Sequence, residues 1–346
     1  HTSQRRRALH NWLAVFLLLV HVCISYGSLD STVHASFAVD RSVHDAKVSE
    51  LSRKCQTNSN LSPGSVKRIN IKRTPSESHC PRPHDYKEGS LQLDLSDFCK
   101  VIDVTSIDSL SSSSNRKVLK DISRNFDHML RNGDIAGVAD VQCMCDMEVL
   151  VDALLPLGMI PAVVPEFKGI TIGGSIQGLA AESTSFKYGF VHDTVLGFEL
   201  LLPSGEVKWC SRNENRDLFH AVPGSFGSLG ICTRAKILCI KAKSHVLVHC
   251  KRHHSHARCV EYMGDIQDAC LQRARNKALE TTNNFLLASL SLENEIKPKL
   301  DFMEGLGYSS NEFVSLLGGF VDQEEVKFLE QVKVHKFHCS GWGDKW

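Results

Sequence analysis

The run from Pro161 to Ile231 constrains this chain more than any other stretch. Two glycine-rich bends, TIGGSIQG at Thr171–Gly178 and GSFGSLG at Gly224–Gly230, bracket a hydrophobic hairpin there. Glycine has no Cβ, so its backbone can take positive φ and turn several amide N–H groups toward one anion, as nests and helix N-termini do. Between the bends, Gly197–Leu202 reads as a strand, Pro203 to Gly205 as a turn and Val207–Cys210 as the returning strand. Asn215–Val222 follows as a short helix stopped by Pro223 and Gly224, and the second bend runs into a strand, Ile231–Ile240. A Rossmann fingerprint runs from strand into helix, so this order argues against that unit. Either bend alone is what ordinary turns also use.

The 346 residues suffice for a large core and for two domains. A net charge of +1 provides no basic field for nucleic acid, and 42% hydrophobic residues argue against wholesale disorder. The 13 cysteines are an odd set without framework spacing and read mostly as free thiols. Cys143 and Cys145 flank Met144, but C-x-C is two ligands short of a zinc site. His245, His249, His253, His254 and His256 crowd one region without a carboxylate or thiol at an orderly spacing, and no metal is expected.

Several pieces occur in a fixed order: VVPE at Val163–Glu166, TIGG at Thr171–Gly174, ES-x-S-x-KYG from Glu182 to Gly189, and SGEV at Ser204–Val207. ENRDLF at Glu214–Phe219 and AVPGSFGSLG at Ala221–Gly230 complete them. Together they resemble the FAD-binding domain of the vanillyl-alcohol oxidase type, and within it the Δ24-sterol reductase family. The resemblance is strong over residues 135–245 and weaker on both sides. It implies an α+β chain: a two-subdomain FAD-binding fold of the PCMH type over 40–245, with an insertion at 106–134, then a truncated α+β cap domain over 246–346. It also implies an FAD-dependent oxidoreductase of sterol biosynthesis that reduces the sterol side-chain Δ24 double bond with NADPH as electron donor. The residues expected against FAD are Thr171, Ile172, Gly173, Gly174, Ser175, Ile176, Gln177, Gly178, Leu179, Ala180, Ala181, Glu182 and Ser183, with Gly224, Ser225, Gly227, Gly230 and Ile231 from the second bend. Lys187, Tyr188 and His192 are candidates for the proton donor, each equally suited to a structural hydrogen bond. RTPSES, Arg73–Ser78, stands where the resembled family faces its cofactor but lacks the usual glycine pair. The rival readings are an FAD-linked oxidase of an alcohol or sugar acid, and an inactive fragment.

Ahead of this domain, Arg5 to Arg7 precede an apolar run, Trp12–Ile24, giving residues 1–30 the layout of a signal peptide or membrane anchor. The run is short against the roughly 20 residues of a spanning helix. The family implies an endoplasmic reticulum anchor; a cleaved secretory signal is the alternative. Val43, Ala46, Val48 and Leu51 predict a short amphipathic helix over Val43–Cys55, and VKRINI at Val66–Ile71 a strand. Leu91–Val104 predicts two short strands around Ser96 and Asp97, resembling a hairpin of the family. The serine tract after Ser106 reads as a flexible surface insertion ahead of a helix over Arg116–Leu130, or as a retained intron. Asp146–Leu157 predicts a helix ended by Gly158. After a strand near His245 and a helix over His256–Arg275, a second insertion is expected around Glu280–Lys299. Asp301–Phe320 resembles the start of a substrate cap. Because the chain begins at His1 and stops at Trp346, an incomplete translation and an incomplete cap are expected, with weak to moderate FAD binding and little sterol reduction.

Overall fold

The computed structural model describes residues 38–72, 87–111, 116–279 and 300–323, which divide between two compact units, one ending at Ala242 and the other beginning at Lys243. The apolar run Trp12–Ile24, the loop Arg73–Ser78 and the insertion expected at Glu280–Lys299 lie outside the described residues. No helix among the described residues is long and apolar enough to cross a membrane.

The first unit opens with α1 (Arg41–Ser59). Asp40 caps it, its carboxylate accepting the Ser42 N–H at 2.7 Å. The buried stripe is His44, Val48, Leu51 and Cys55, one face of the helix. Val43 and Ala46, expected on that face, are exposed, because the stripe is led by a histidine that an apolar count passes over. β1 (Ile69–Lys72) and β2 (Leu91–Asp94) pair in parallel, while β3 (Val101–Ser106) joins a different sheet. The hairpin expected across Leu91–Val104 therefore does not form. Leu93, Leu95 and Phe98 are instead buried against Val48, Leu51 and Cys55 of α1 and against Leu201, and this core draws β2 away from β3. Burying side chains of this size stabilises by roughly 1.5–3 kcal/mol each.

The main sheet runs β3, β4 (Ile135–Gln142), β8 (Ile231–Lys241), β6 (Val195–Leu201) and β7 (Val207–Ser211), all neighbours antiparallel, and β5 (Met159–Pro161) also pairs with β8. β4 lies inside this sheet and is buried at every residue, which explains its nearly continuous run of apolar and small residues. The helix expected over Arg116–Leu130 breaks into α2 (Arg116–Asn125) and α3 (Asp127–Arg131). The break falls at Phe126, whose ring lies 4.7 Å from the Arg212 guanidinium. Ile122, Phe126 and Met129 are buried, so the helical part of the insertion contributes to the core. α4 (Met147–Leu154) is capped by Asp146, which accepts the Val149 N–H at 2.9 Å. A tight turn at Leu155–Leu157 then ends on Gly158 at φ +70°. Three short helices, α5 (Ile172–Gln177), α6 (Ser185–Tyr188) and α7 (Arg216–Ala221), complete the unit.

A polar network ties α1 to the sheet. The Lys100 N–H donates to Gln142 Oε1 at 3.1 Å, which orients that amide so that its Nε2 faces His44 Nδ1 at 3.2 Å. His44 must then carry its proton on Nε2, which donates to Glu199 Oε1 at 2.9 Å. Thr233 Oγ1 donates to the same carboxylate at 2.7 Å, and Arg234 pairs with Asp140 at 2.7 Å. Burial opposes the charge on Glu199, but the hydrogen bonds from His44 and Thr233 and the Arg234 charge outweigh it and hold its pKa down at about 2. His44, Asp45 and Glu199 bring metal-ligating atoms within 4.8 Å of one another. Their geometry is that of a hydrogen-bonded pair flanked by Arg41 and Arg234, 3.9 and 3.6 Å from Glu199, and those cations disfavour a metal ion.

The second unit is a three-stranded antiparallel sheet, ordered β10 (Phe302–Ser309), β11 (Glu312–Val321), β9 (His245–His253), with α8 (His256–Leu279) packed on it. His253 is buried in this sheet, 2.9 Å from Ser315 Oγ.

Candidate functional site

Thr171 starts the first glycine segment as a helix cap. Its Oγ1 accepts the Gly174 N–H at 3.2 Å, and its carbonyl accepts the Ser175 N–H at 2.8 Å. Extended chain turning into a loose bend is the expectation here; the six-residue α5 forms because Thr171 satisfies the first amides. The Ile172 and Gly173 N–H groups donate to the carbonyls of Cys145 and Cys143 at 2.9 and 2.7 Å. A Cβ on Gly173 would lie 3.0 Å from both the Cβ and the carbonyl oxygen of Cys143. Glycine at 173 thus lets α5 pack closely on Cys143, and the first-turn amides are engaged within the protein.

The second bend is brought against the first. The Phe226 N–H donates to the Gln177 carbonyl at 3.2 Å, and Gln177 Nε2 donates to the Gly230 carbonyl at 3.0 Å. Gly224 and Gly227 sit at φ +79° and +84°, where glycine is at ease and other residues are not. Among the described residues their N–H groups meet no acceptor, and Ser225 Oγ is buried with no partner. A Cβ on Gly230 would lie 2.8 Å from the Leu201 carbonyl, so that glycine serves packing where Ile231 pairs with Leu201.

Ala180 and Val191 carry the chain from α5 into the next turn: the Ala180 N–H donates to Ser175 O at 2.9 Å and the Val191 N–H to Ala180 O at 3.0 Å. Ala181, Glu182 and Ser183 lie along this connection, while Ile176 is fully buried on the inner face of α5. Glu182 is its clasp. The carboxyl oxygens accept the N–H of Glu166 at 2.7 Å and of Ser183 at 3.1 Å, tying the VVPE segment to the KYG turn. Burial lifts this carboxyl to about 7, although the two amides pull the other way.

The three proton-donor candidates have different surroundings. Lys187 Nζ lies 3.5 Å from Asp134 and 4.8 Å from the centre of the Tyr188 ring, and Tyr188 is buried. His192 stacks on Phe190 at 5.6 Å, and its Nδ1 is buried without a partner among the described residues. Burial pushes the His192 pKa down, and the Arg212 charge adds to that, while Asp193 opposes it. Arg212 is a residue that no motif reveals. It donates to the carbonyls of Asp193 and Val195 at 2.8 and 2.9 Å and lies 5.2 Å from the Phe219 ring, fixing the turn that carries His192.

Residues 105–211 match the family described as an FAD binding domain. The chain is 30% identical to the Delta(24)-sterol reductase of Pisum sativum over 206 residues, 59% of this chain and 32% of that protein. It is also 30% identical to the Delta(24)-sterol reductase of Homo sapiens over 224 residues, 65% of this chain and 38% of that protein. Over 91 residues it is 36% identical to cytokinin dehydrogenase 3 of Arabidopsis thaliana, 26% of this chain and 17% of that protein. The chain spans about a third of the length of the sterol reductases that it matches. FAD is the cofactor, and the fold is the α+β type of its binding domain. The residues fit such a group: Ser225 Oγ and His192 Nδ1 are buried polar atoms lacking partners among the described residues, and the Gly224 and Gly227 amides are available to oxygen acceptors.

Proposed function

We propose that this chain is an FAD-dependent oxidoreductase of the FAD-binding flavoproteins that include the Δ24-sterol reductases, and that it reduces the side-chain Δ24 double bond of a sterol with electrons from NADPH. The observation that carries this reading is the similarity to sterol reductases over 224 residues, against 91 and 97 for two cytokinin dehydrogenases. FAD, when bound, supplies the two-electron redox chemistry. The protein's part is binding, orientation and proton placement. The Gly224 and Gly227 N–H groups and Ser225 Oγ would hold oxygens of the cofactor, and Glu182 keeps the connecting turn in place. Of the proton-donor candidates, Lys187 is neighboured by Asp134, whereas His192 has an unpartnered Nδ1 on a ring that burial keeps neutral near pH 7. His192 would therefore act as a hydrogen-bonding group rather than as a standing positive charge.

The run Trp12–Ile24 behind Arg5 to Arg7 supports attachment to the endoplasmic reticulum membrane, with a cleaved secretory signal as the alternative. One experiment tests both parts of the reading. Cells express the chain with and without residues 1–28, and each fraction receives FAD, NADPH and a Δ24 sterol before the saturated product is measured by mass spectrometry. Saturated product in the membrane fraction of the full chain, even in small amount, supports the reading, and the shortened chain should move to the soluble fraction. Oxygen consumption with an alcohol substrate and no sterol product would favour an oxidase instead.

A further inference from the structure

Two side chains at the facing bends stand on backbone that their residue types disfavour. Leu179 has φ +56° and Phe226 φ +50°, in the left-handed region where the Cβ of an L-residue crowds the following carbonyl. The third such residue, Asn215 at φ +45°, is of a type that tolerates the region. Glycine would occupy either place without strain, and glycines adjoin both: Gly178 before Leu179, and Gly224 and Gly227 around Phe226.

Both side chains lie at the surface. Leu179 is 42% exposed and Phe226 66% exposed. The two belong to one surface, because the place a Cβ would take on Gly224 is 3.2 Å from Leu179 Cδ1, and that on Gly178 is 3.9 Å from Phe226 Cε1. The hydrogen bond from the Phe226 N–H to Gln177 O holds the aromatic residue in register with the first bend. Ser225, with its buried unpartnered hydroxyl, is the residue immediately before it. Strained backbone and exposed apolar surface are separately unfavourable, and here they coincide beside polar atoms that lack partners among the described residues.

We propose that Leu179 and Phe226 form an apolar clamp on one of the flat ring systems of FAD, Phe226 stacking on the ring face. The clamp rests on the placement of FAD at these two bends. A phenyl ring suits the task, since it offers a large flat face and has only two side-chain torsions to order.

The test is titration of the full chain with FAD, followed by flavin fluorescence, for the wild type, Phe226→Gly, Leu179→Gly and Phe226→Trp, with the melting temperature of each cofactor-free protein. Phe226→Gly is expected to raise the melting temperature by removing backbone strain and yet to weaken FAD binding about tenfold, a stacking-sized loss. Leu179→Gly should change both quantities in the same directions, and Phe226→Trp should keep the affinity. Riboflavin and AMP, titrated in parallel, identify the ring: the loss recurs with riboflavin if Phe226 covers the isoalloxazine and with AMP if it covers the adenine. Unchanged FAD affinity in Phe226→Gly overturns the clamp alone. A melting temperature that falls together with the affinity makes Phe226 a structural residue and also overturns it. A wild-type chain that takes up no FAD removes the placement on which the clamp rests, and the clamp with it.

Discussion

Glu182 and Glu199 are both carboxylates in the first unit, yet their surroundings displace them in opposite directions. Burial raises Glu182 to about 7, whereas hydrogen bonds and a guanidinium hold Glu199 at about 2, against an ordinary value of 4.5. Between about pH 4.5 and 7 the folded chain keeps a proton on Glu182 that the unfolded chain has released, so its contribution to stability falls as pH rises through that window. Glu199 contributes above about pH 4.5, and its contribution is lost as pH falls toward about 2. Glu182→Gln is therefore expected to flatten the stability profile between pH 4.5 and 7, removing a slope of at most about 1.4 kcal/mol per pH unit. Urea denaturation across that range checks this, and an undiminished slope in the variant would show that Glu182 is not its source. Glu182 was visible in the sequence as part of an ordered motif. Arg212 was not, and Phe226, although inside the second glycine motif, was not singled out, because their importance comes from which carbonyls and bends surround them, and spacing along the chain does not carry that information.

Elements were most legible where hydrophobic periodicity or a stop signal was strong, as in α4 with its terminal Gly158 and in the β6–β7 pair around Gly205. They were least legible where a tertiary partner decided the outcome. β2 and β3 resemble a hairpin in sequence and separate because α1 supplies a competing core for Leu93, Leu95 and Phe98. The glycines of TIGG look like an anion nest, but α5 forms against the Cys143–Cys145 segment and engages the amides of Ile172 and Gly173. This assignment predicts different costs for two glycines of the site. Gly173→Ala must push α5 away from Cys143, an overpacking expected to cost about 1–3 kcal/mol of stability and to loosen FAD. Gly227→Ala has open space for its methyl and should cost only the ~1 kcal/mol of a left-handed backbone. Denaturant midpoints of the two variants check the order, and a silent Gly173→Ala would contradict the packing role.

For the whole molecule, the ordered motifs between Val163 and Gly230 carry the recognition of an FAD-binding fold, and the match over 105–211 agrees with them. The second unit announces far less of itself, since its sheet depends on pairings such as Leu317 with His249 that join segments distant in sequence. The two bends, held together through Gln177, are the proposed seat of FAD. The most direct measurement is the flavin absorbance of the purified chain after incubation with excess FAD and removal of the unbound cofactor. A single FAD per chain, retained in the wild type and lost in Gly174→Val, is the result expected, because that side chain would displace the Thr171 hydroxyl that caps α5. A wild-type chain that emerges without flavin, or a Gly174→Val chain that keeps its full complement, would contradict it.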